Sequence, residues 1–220
     1  MILALIVPYR DRESNLRKFI PYITSTLCGQ NINFKIIIVE QSPGKLFNRG
    51  LLCNIGFKFY QDECNYVVFH DVDMICDTID YSYNNKPTSL LRYRSKSGYV
   101  YNEYFGGITL FPKNDFIKIN GFSNNYWGWG AEDADLYHRC IIHNIKTETR
   151  QGFCRDLELI KDKQKIKNNP YYSKNLERLL SFQTDNKIPN EGLNTIISNK
   201  LFHINNIQQN NNYTKITVKI

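Results

Sequence analysis

An α/β fold built on a largely parallel, open sheet is what this sequence predicts, on three observations. Short apolar runs rich in β-branched residues recur at positions 3–7 (LALIV), 34–39 (FKIIIV) and 66–69 (YVVF). Two stretches with helical spacing of apolar residues, 13–27 and 49–60, lie between them. Strands that alternate with helices pair in parallel, because each crossover helix returns the chain to the same end of the sheet. The third run leads directly into His70-Asp71-Val72-Asp73. Two carboxylates therefore fall at the carboxyl end of a strand, where open α/β sheets bind ligands.

The remaining elements follow in order. Within 3–7 every residue is apolar, as in a strand buried on both faces, and Pro8 breaks the run. Leu52, Ile55, Gly56 and Phe59 give 49–60 its helical stripe. The polar segment 77–98 reads as a long connection. Leu136, Cys140 and Ile141 mark a helix that starts just after a cluster of acids, and a helix N-terminus favours negative charge. The Lys-rich stretch 159–170 reads as a surface loop or lid, 176–182 as helix, and 213–220 (YTKITVKI) as an alternating terminal strand. The Asn-rich run 205–212 is expected to separate that strand from the body. No internal repeat is visible.

A chain of 220 residues, 42% hydrophobic and 14% aromatic, can bury a real core as one domain. The apolar run at its start is too short for a membrane span. The formal charge of +7 suits nucleic acid, nucleotide phosphates or acidic glycans, or simply a Lys-rich surface. No recognised nucleic-acid motif is present and the basic residues form no single strip, so nucleic acid is not expected as a partner. The six cysteines lack CxxC spacing and sit mostly among apolar neighbours, which predicts buried free thiols in a reducing compartment rather than zinc or a disulfide framework.

The densest chemistry is Asn125-Tyr126-Trp127-Gly128-Trp129-Gly130-Ala131-Glu132-Asp133-Ala134-Asp135, which holds both tryptophans and three carboxylates. It reads as a base beside an aromatic platform, with glycines that let the backbone turn sharply. Asp71 and Asp73 can direct two oxygen ligands into one cleft, as a hard divalent cation on a diphosphate requires. Asp-x-Asp alone is more often an ordinary pair of loop carboxylates; the apolar strand before it and the second acidic motif favour the metal reading. Tyr104-Phe105-Gly106-Gly107 places an aromatic wall before flexible backbone, suited to a sugar face or to a tight turn beside a core aromatic. Arg10, Arg12 and Arg49 can bind phosphate or base, with Tyr9 and Phe47 stacking, or serve as helix-start and surface arginines. His70 reads as a packing residue, and Asp135 with Arg139 as an i,i+4 pair.

Taken together, these segments resemble the β-1,4-galactosyltransferases. The similar stretches are 6–12 (IVPYRDR), 47–50 (FNRG), 69–73 (FHDVD), 104–107 (YFGG), 119–122 (INGF), 124–135, 191–194 (EGLN) and 213–218 (YTKITV), in the family's order. The resemblance implies a GT-A type, Rossmann-like nucleotide-sugar-binding fold with a mixed, mainly parallel central sheet. It also implies inverting transfer of galactose from UDP-galactose to a sugar hydroxyl of a glycan or glycoconjugate, with Mn²⁺ as cofactor and Mg²⁺ as an alternative. Residues 1–76 would form the nucleotide-binding half of a single catalytic domain and 77–220 the donor- and acceptor-sugar half. Pro8, Tyr9, Arg10 and Arg12, helped by Phe47 and Arg49, would hold uridine and phosphates. Asp71, beside Val72, would meet the nucleotide sugar, and Asp73 would ligate the metal. Tyr104, with Gly106 and Gly107 beyond it, would favour galactose over N-acetylgalactosamine on the donor and would also meet the acceptor. Trp129 would contact donor and acceptor, Glu132 would bind the donor galactose, and Asp133 would be the catalytic base at the acceptor hydroxyl.

Three departures bear on the site. Where the family completes its metal shell with a His, this chain has Leu159, leaving Asp156 or Glu158 as hard oxygen substitutes and His203 as a remote candidate. Ala134 replaces an acid that helps bind the acceptor sugar, and the segment after Pro170 does not reproduce the family's acetamide pocket. Ala131 stands in place of Gly, a small change by sequence. The family's amino-terminal anchor is not seen, so a soluble, cytoplasmic protein is the expectation. Transfer of glucose or N-acetylgalactosamine is the nearest alternative, and a catalytically weakened nucleotide-sugar-binding protein the next.

Overall fold

The first apolar run forms β1 (Ile2–Tyr9), flanked by β2 (Asn33–Gln41) and β3 (Tyr66–His70), both parallel to it. The computed structural model describes residues 1–76, 78–91, 93–94, 105–157, 162–185, 187 and 189–220. Alternate residues of β1 face opposite layers. Leu3, Leu5 and Val7 pack beneath α1 (Glu13–Gly29), whereas Ala4 and Ile6 join the core beneath α2 (Arg49–Tyr60). Helix α1 buries Leu16, Phe19, Ile20, Ile23 and Leu27, a single stripe of i, i+3, i+4 spacing. At about 2 kcal/mol per buried apolar side chain, that stripe is worth on the order of 10 kcal/mol before chain entropy is charged against it.

The chain then adds β4 (Met74–Cys76), β5 (Thr88–Ser89), β6 (Tyr93–Arg94) and β7 (Ile108–Pro112), followed by the short helix α3 (Lys113–Lys118). After α4 (Glu132–Ile142) come β8 (Glu148–Thr149), β9 (Phe153–Asp156), α5 (Asp162–Asn168) and α6 (Tyr172–Asp185), and the chain closes with β10 (His203–Gln209) and β11 (Thr214–Lys219). The main sheet has the order β10-β11-β2-β1-β3-β7-β5-β8. Strand β7 runs antiparallel to β3 and β10 antiparallel to β11, so the sheet is mixed around a parallel centre, as expected. A second sheet, β4-β9-β6, stands beside the carboxyl end of β3.

Five expectations change. The stretch 205–212 is not a mere separator, because most of it lies in β10, whose backbone pairs with β11 from His203–Lys219 to Gln209–Thr214. All seven β10 side chains are exposed, so backbone pairing rather than burial makes it a strand. Part of the supposed loop 159–170 is α5, and the segment read as a 176–182 helix extends over the whole of α6. Short strands β5 and β6 interrupt the 77–98 connection. Finally, Cys76 and Cys154, expected to be free thiols, form a disulfide between the facing residues of β4 and β9. Cys53, Cys64 and Cys140 are free and buried, whereas Cys28 is free but exposed. Among the described residues no helix is long and apolar enough to cross a membrane.

Candidate active site

Three chain segments meet at the carboxyl end of β3. Strand β3 ends at His70 and hands the chain to Asp71, whose amide donates to the Gly107 carbonyl at 2.9 Å. Gly107 sits at φ +71°, and a Cβ there would lie 2.7 Å from the Met74 Cε, so the turn demands glycine. Helix α2 starts at Arg49, capped by Asn48, whose side-chain oxygen accepts from the Leu51 amide at 3.0 Å. Helix α4 starts at Glu132, so Glu132, Asp133 and Asp135 occupy its first turn, where exposed amides favour their charge.

Arg49 joins the three segments. Its Nε donates to Asp71 at 2.8 Å and its Nη1 to Asp133 at 2.9 Å, with only 9% of its side chain exposed. Burial opposes the charge on this guanidinium, but Asp133 and Asp71 outweigh it and hold its pKa well above the usual arginine value. Next to it, burial raises the Glu132 carboxyl pKa, against the pull of Arg49. Sequence reasoning read Arg49 as a phosphate or base ligand; in the structure it is the cation between two carboxylates expected to act on the sugar. Neither acid's position in the sequence signals that pairing.

The other expected residues are distributed as follows. Arg10 stacks over Phe47, 5.4 Å from the ring centroid, and its Nη1 donates to the Lys45 carbonyl at 2.7 Å. Tyr9 is only 3% exposed and its hydroxyl faces Glu13, so its ring packs in the core and Phe47 is the aromatic face left at the cleft. Arg12 precedes α1, and Pro8 pairs with Val39 inside the sheet. Val72 and Gly106 are buried beside Asp71. His70 is fully buried, as expected of a packing residue. Its Nδ1 meets the Asp71 carbonyl at 2.9 Å, which can only accept, so Nδ1 carries the proton and Nε2 accepts from the Tyr81 hydroxyl at 2.9 Å. Burial lowers the His70 pKa to about 4.

The small sheet runs beside the acids expected to hold a cation. The Leu157 amide donates to the Asp73 carbonyl at 2.7 Å and Asp156 pairs with Met74, so the backbones of Asp73 and Asp156 run side by side. Carboxylates are the hard oxygen donors that suit Mn²⁺ or Mg²⁺, the role expected of these two residues. Among the described residues no three His, Cys, Asp or Glu side chains converge as a ready-made cation site. Tyr104, Glu158 and Leu159 lie outside the described residues. His203 is excluded by topology: it lies on β10, four strand spacings or roughly 19 Å across the sheet from β3.

The tryptophan loop is built from its backbone. The Gly128 amide donates to the Phe47 carbonyl at 2.8 Å, fastening the loop to the start of α2. Gly128 has φ +76°, and a Cβ there would strike the Asn169 side chain at 2.4 Å. Asn169 donates to the Trp129 carbonyl at 2.8 Å and Asn175 to that of Trp127 at 3.0 Å, while the Trp129 ring stacks on Tyr172. Ala131, by contrast, adopts φ +78°, a left-handed conformation that its Cβ makes costly. Replacing Gly here is therefore more than the small change the sequence suggested. Sequence reasoning also missed the network behind the loop. Glu191 accepts from the Asn124 amide at 2.6 Å and from the Ser123 hydroxyl, and pairs with Arg139 and Arg178. Arg139 donates to Asp135 at 2.7 Å, the expected i,i+4 pair, now fully buried.

With this geometry in view, sequence comparison is decisive. The profile for the N-terminal region of glycosyl transferase group 7 matches residues 1–85, and that for the N-terminal domain of galactosyltransferase matches residues 88–163. The chain belongs to the β-1,4-galactosyltransferase family. Bos taurus β-1,4-galactosyltransferase 1 is 32% identical over 223 residues, 99% of this chain and 54% of that protein. Mus musculus β-1,4-galactosyltransferase 4 is 40% identical over 149 residues, 65% of this chain and 43% of its own length. The chain thus spans about half the length of these relatives. A solved structure of a Drosophila β-1,4-galactosyltransferase 7 mutant in complex with manganese, UDP-Gal and xylobiose superposes with a TM-score of 0.82 at 24% identity, covering 100% of this chain and 94% of that one. That likeness gives the GT-A type, α/β architecture expected from the sequence.

Proposed function

We propose that this chain is an inverting galactosyltransferase that moves galactose from UDP-galactose to a hydroxyl of a glycan or glycoconjugate, forming a β linkage. The observation that carries the reading is the single guanidinium of Arg49 held by both Asp71 and Asp133. It brings the strand-end acids and the tryptophan-loop acids to one point. Residues 1–76 form the nucleotide-binding half, with Pro8, Tyr9, Arg10, Arg12 and Phe47 around uridine and phosphates. Tyr9 takes part through its backbone. Residues 77–220 form the sugar half, where Gly106 and Gly107 would line the donor sugar and Tyr104, outside the described residues, keeps the donor-selecting role the resemblance implies.

Asp133 removes the proton of the acceptor hydroxyl as that oxygen attacks the anomeric carbon, and the bond from that carbon to the UDP oxygen breaks on the opposite face. Arg49 holds the Asp133 carboxylate through its Oδ1 at 2.9 Å and so orients it for the acceptor hydroxyl. Asp71 and Glu132 accept hydrogen bonds from the donor's hydroxyls. The Nη2 of Arg49 is buried without a hydrogen-bond partner among the described residues, and a donor oxygen would meet it. Trp129, stacked on Tyr172, covers the sugars. Asp73 and Asp156 would hold a divalent cation, Mn²⁺ in the first instance, which when bound would supply positive charge to the leaving diphosphate. The Cys76–Cys154 bond favours an oxidising compartment over the cytoplasmic setting that free thiols suggested.

The test is Asp133→Asn, assayed with UDP-galactose, Mn²⁺ and a panel of acceptors. Transfer should fall by about a hundred- to ten-thousandfold while UDP affinity changes little, since general-base catalysis contributes roughly 10²–10⁴. Undiminished transfer by the variant, or transfer unaffected by EDTA in the parent, removes the corresponding assignment.

A further inference from the structure

A cavity of about 680 Å³ opens beside the tryptophan loop, on the side that faces α6. The volume lies inside the roughly 300–1,000 Å³ range of small-molecule sites. Its walls include Lys45, Asn125, Trp127, Tyr171, Lys174 and Arg178, and no acidic side chain is among the described lining residues. The Lys45 ammonium lies 5.4 Å from the Trp127 ring centroid, and that of Lys174 5.8 Å from Tyr171. Such cation–π contacts are weak at exposed positions, so an anionic group entering the cavity can recruit both lysines without first breaking a salt bridge. Arg178 is already partly neutralised by Glu191 at 3.2 Å, and its guanidinium lies over Phe182; it lines the wall more as a fixed platform than as a spare cation.

The cavity adjoins the reaction centre through the backbone. Leu46 lines it, and Arg49, which holds Asp133, is three residues further on, at most about 11 Å of extended chain. Arg10 braces the same segment by its bond to the Lys45 carbonyl. The two aromatic rings and the Asn125 amide suit a sugar face and its hydroxyls, while the two lysines suit a negative group on that sugar.

We propose that this cavity is an acceptor subsite selective for an anionic sugar, one carrying a carboxylate or a sulfate next to the unit that receives galactose. The position relative to Asp133 rests on the galactosyltransferase reading; recognition of the anion does not. Equilibrium binding by calorimetry therefore separates the two. The full chain is titrated with a uronic-acid disaccharide, with the same disaccharide after reduction of its carboxylate to the alcohol, and with a sulfated neutral disaccharide, each without donor. The acid should bind about five- to tenfold more tightly than its reduced form, the preference falling as salt is raised, and Lys45→Gln combined with Lys174→Gln should abolish that ratio. Tighter binding of the sulfated sugar than of the uronate would assign the anion to a sulfate; the reverse order assigns it to a carboxylate. Equal binding of the acid and its reduced form, or a ratio that survives both substitutions, overturns the proposal. Selective binding without transfer upholds the subsite and counts against the transferase reading alone. Since both lysines are exposed, the substitutions leave the core untouched, and the single variants should each lower the ratio.

Discussion

Replacing Arg49 with Met tests whether this one side chain assembles the site. The parent guanidinium makes two charge-assisted hydrogen bonds, at 2.8 Å to Asp71 and 2.9 Å to Asp133, with 9% of the Arg49 side chain exposed against 27% and 20% of the acids. Removing one partner of a buried pair costs about 3–5 kcal/mol because the other charge is stranded. Here the acids retain some water, so about 3 kcal/mol is the appropriate figure, close to two such bonds at roughly 1.5 kcal/mol each. For a domain of this size each kcal/mol lowers Tm by about 2–4 °C, so Arg49→Met should melt about 6–12 °C below the parent at pH 7. Arg49→Lys keeps the charge but not the two-pronged geometry, and should fall between the two. Differential scanning calorimetry reads all three, with UDP affinity measured in parallel. If Arg49→Met melts within 2 °C of the parent and binds UDP as well, Arg49 does not organise the site.

Three further outcomes follow from the same geometry. His70 has its pKa lowered to about 4 from a usual value near 6.5, so between those pH values the unfolded chain binds a proton that the folded protein does not. Its stabilising share is complete above about pH 6.5 and is lost as pH falls to about 4, a change of about 3 kcal/mol; His70→Gln should flatten that part of the stability–pH curve, and an unchanged slope would discount the buried neutral imidazole. The Cys76–Cys154 bond joins residues 78 apart, worth about 4.5 kcal/mol by loop-closure entropy, with about 2–4 more usual in practice. Dithiothreitol should therefore lower Tm and, because the bond ties the strand after Asp73 to the one carrying Asp156, raise the Mn²⁺ concentration needed for half-maximal transfer; insensitivity of both would mean that the thiols are not paired. Ala131→Gly relieves a left-handed alanine costing about 1–2 kcal/mol but adds about 0.4–1 kcal/mol of unfolded-chain entropy, so thermal melting should show a net gain of up to about 1.5 kcal/mol. A loss of stability there would show that the left-handed geometry is not strained.

How much of this was legible in the sequence depends on the range over which each interaction acts. β1, α1, β2, α2 and β3 were legible because apolar runs and helical stripes are local records of burial, and the packing on both faces of β1 bears them out. The carboxylates were legible as candidates because glycines, aromatics and acids concentrate where a backbone must turn towards a ligand. What the sequence could not show is pairing at a distance. β10 has no apolar alternation to announce it and exists because β11 offers it a hydrogen-bonding edge. The disulfide was invisible for the same reason, since 78 residues separate its cysteines and only the β4–β9 register brings them together. Arg49 shows the limit most clearly. As a residue opening a helix near other arginines it resembled a phosphate ligand, yet Asp71 lies 22 residues away and Asp133 84 residues away, and the two claim its guanidinium first. Only the Nη2 of Arg49 is left over by these two bonds for a donor oxygen, so we propose that Arg49 serves mainly to hold Asp133 and that Arg10 and Arg12 meet most of the diphosphate's charge.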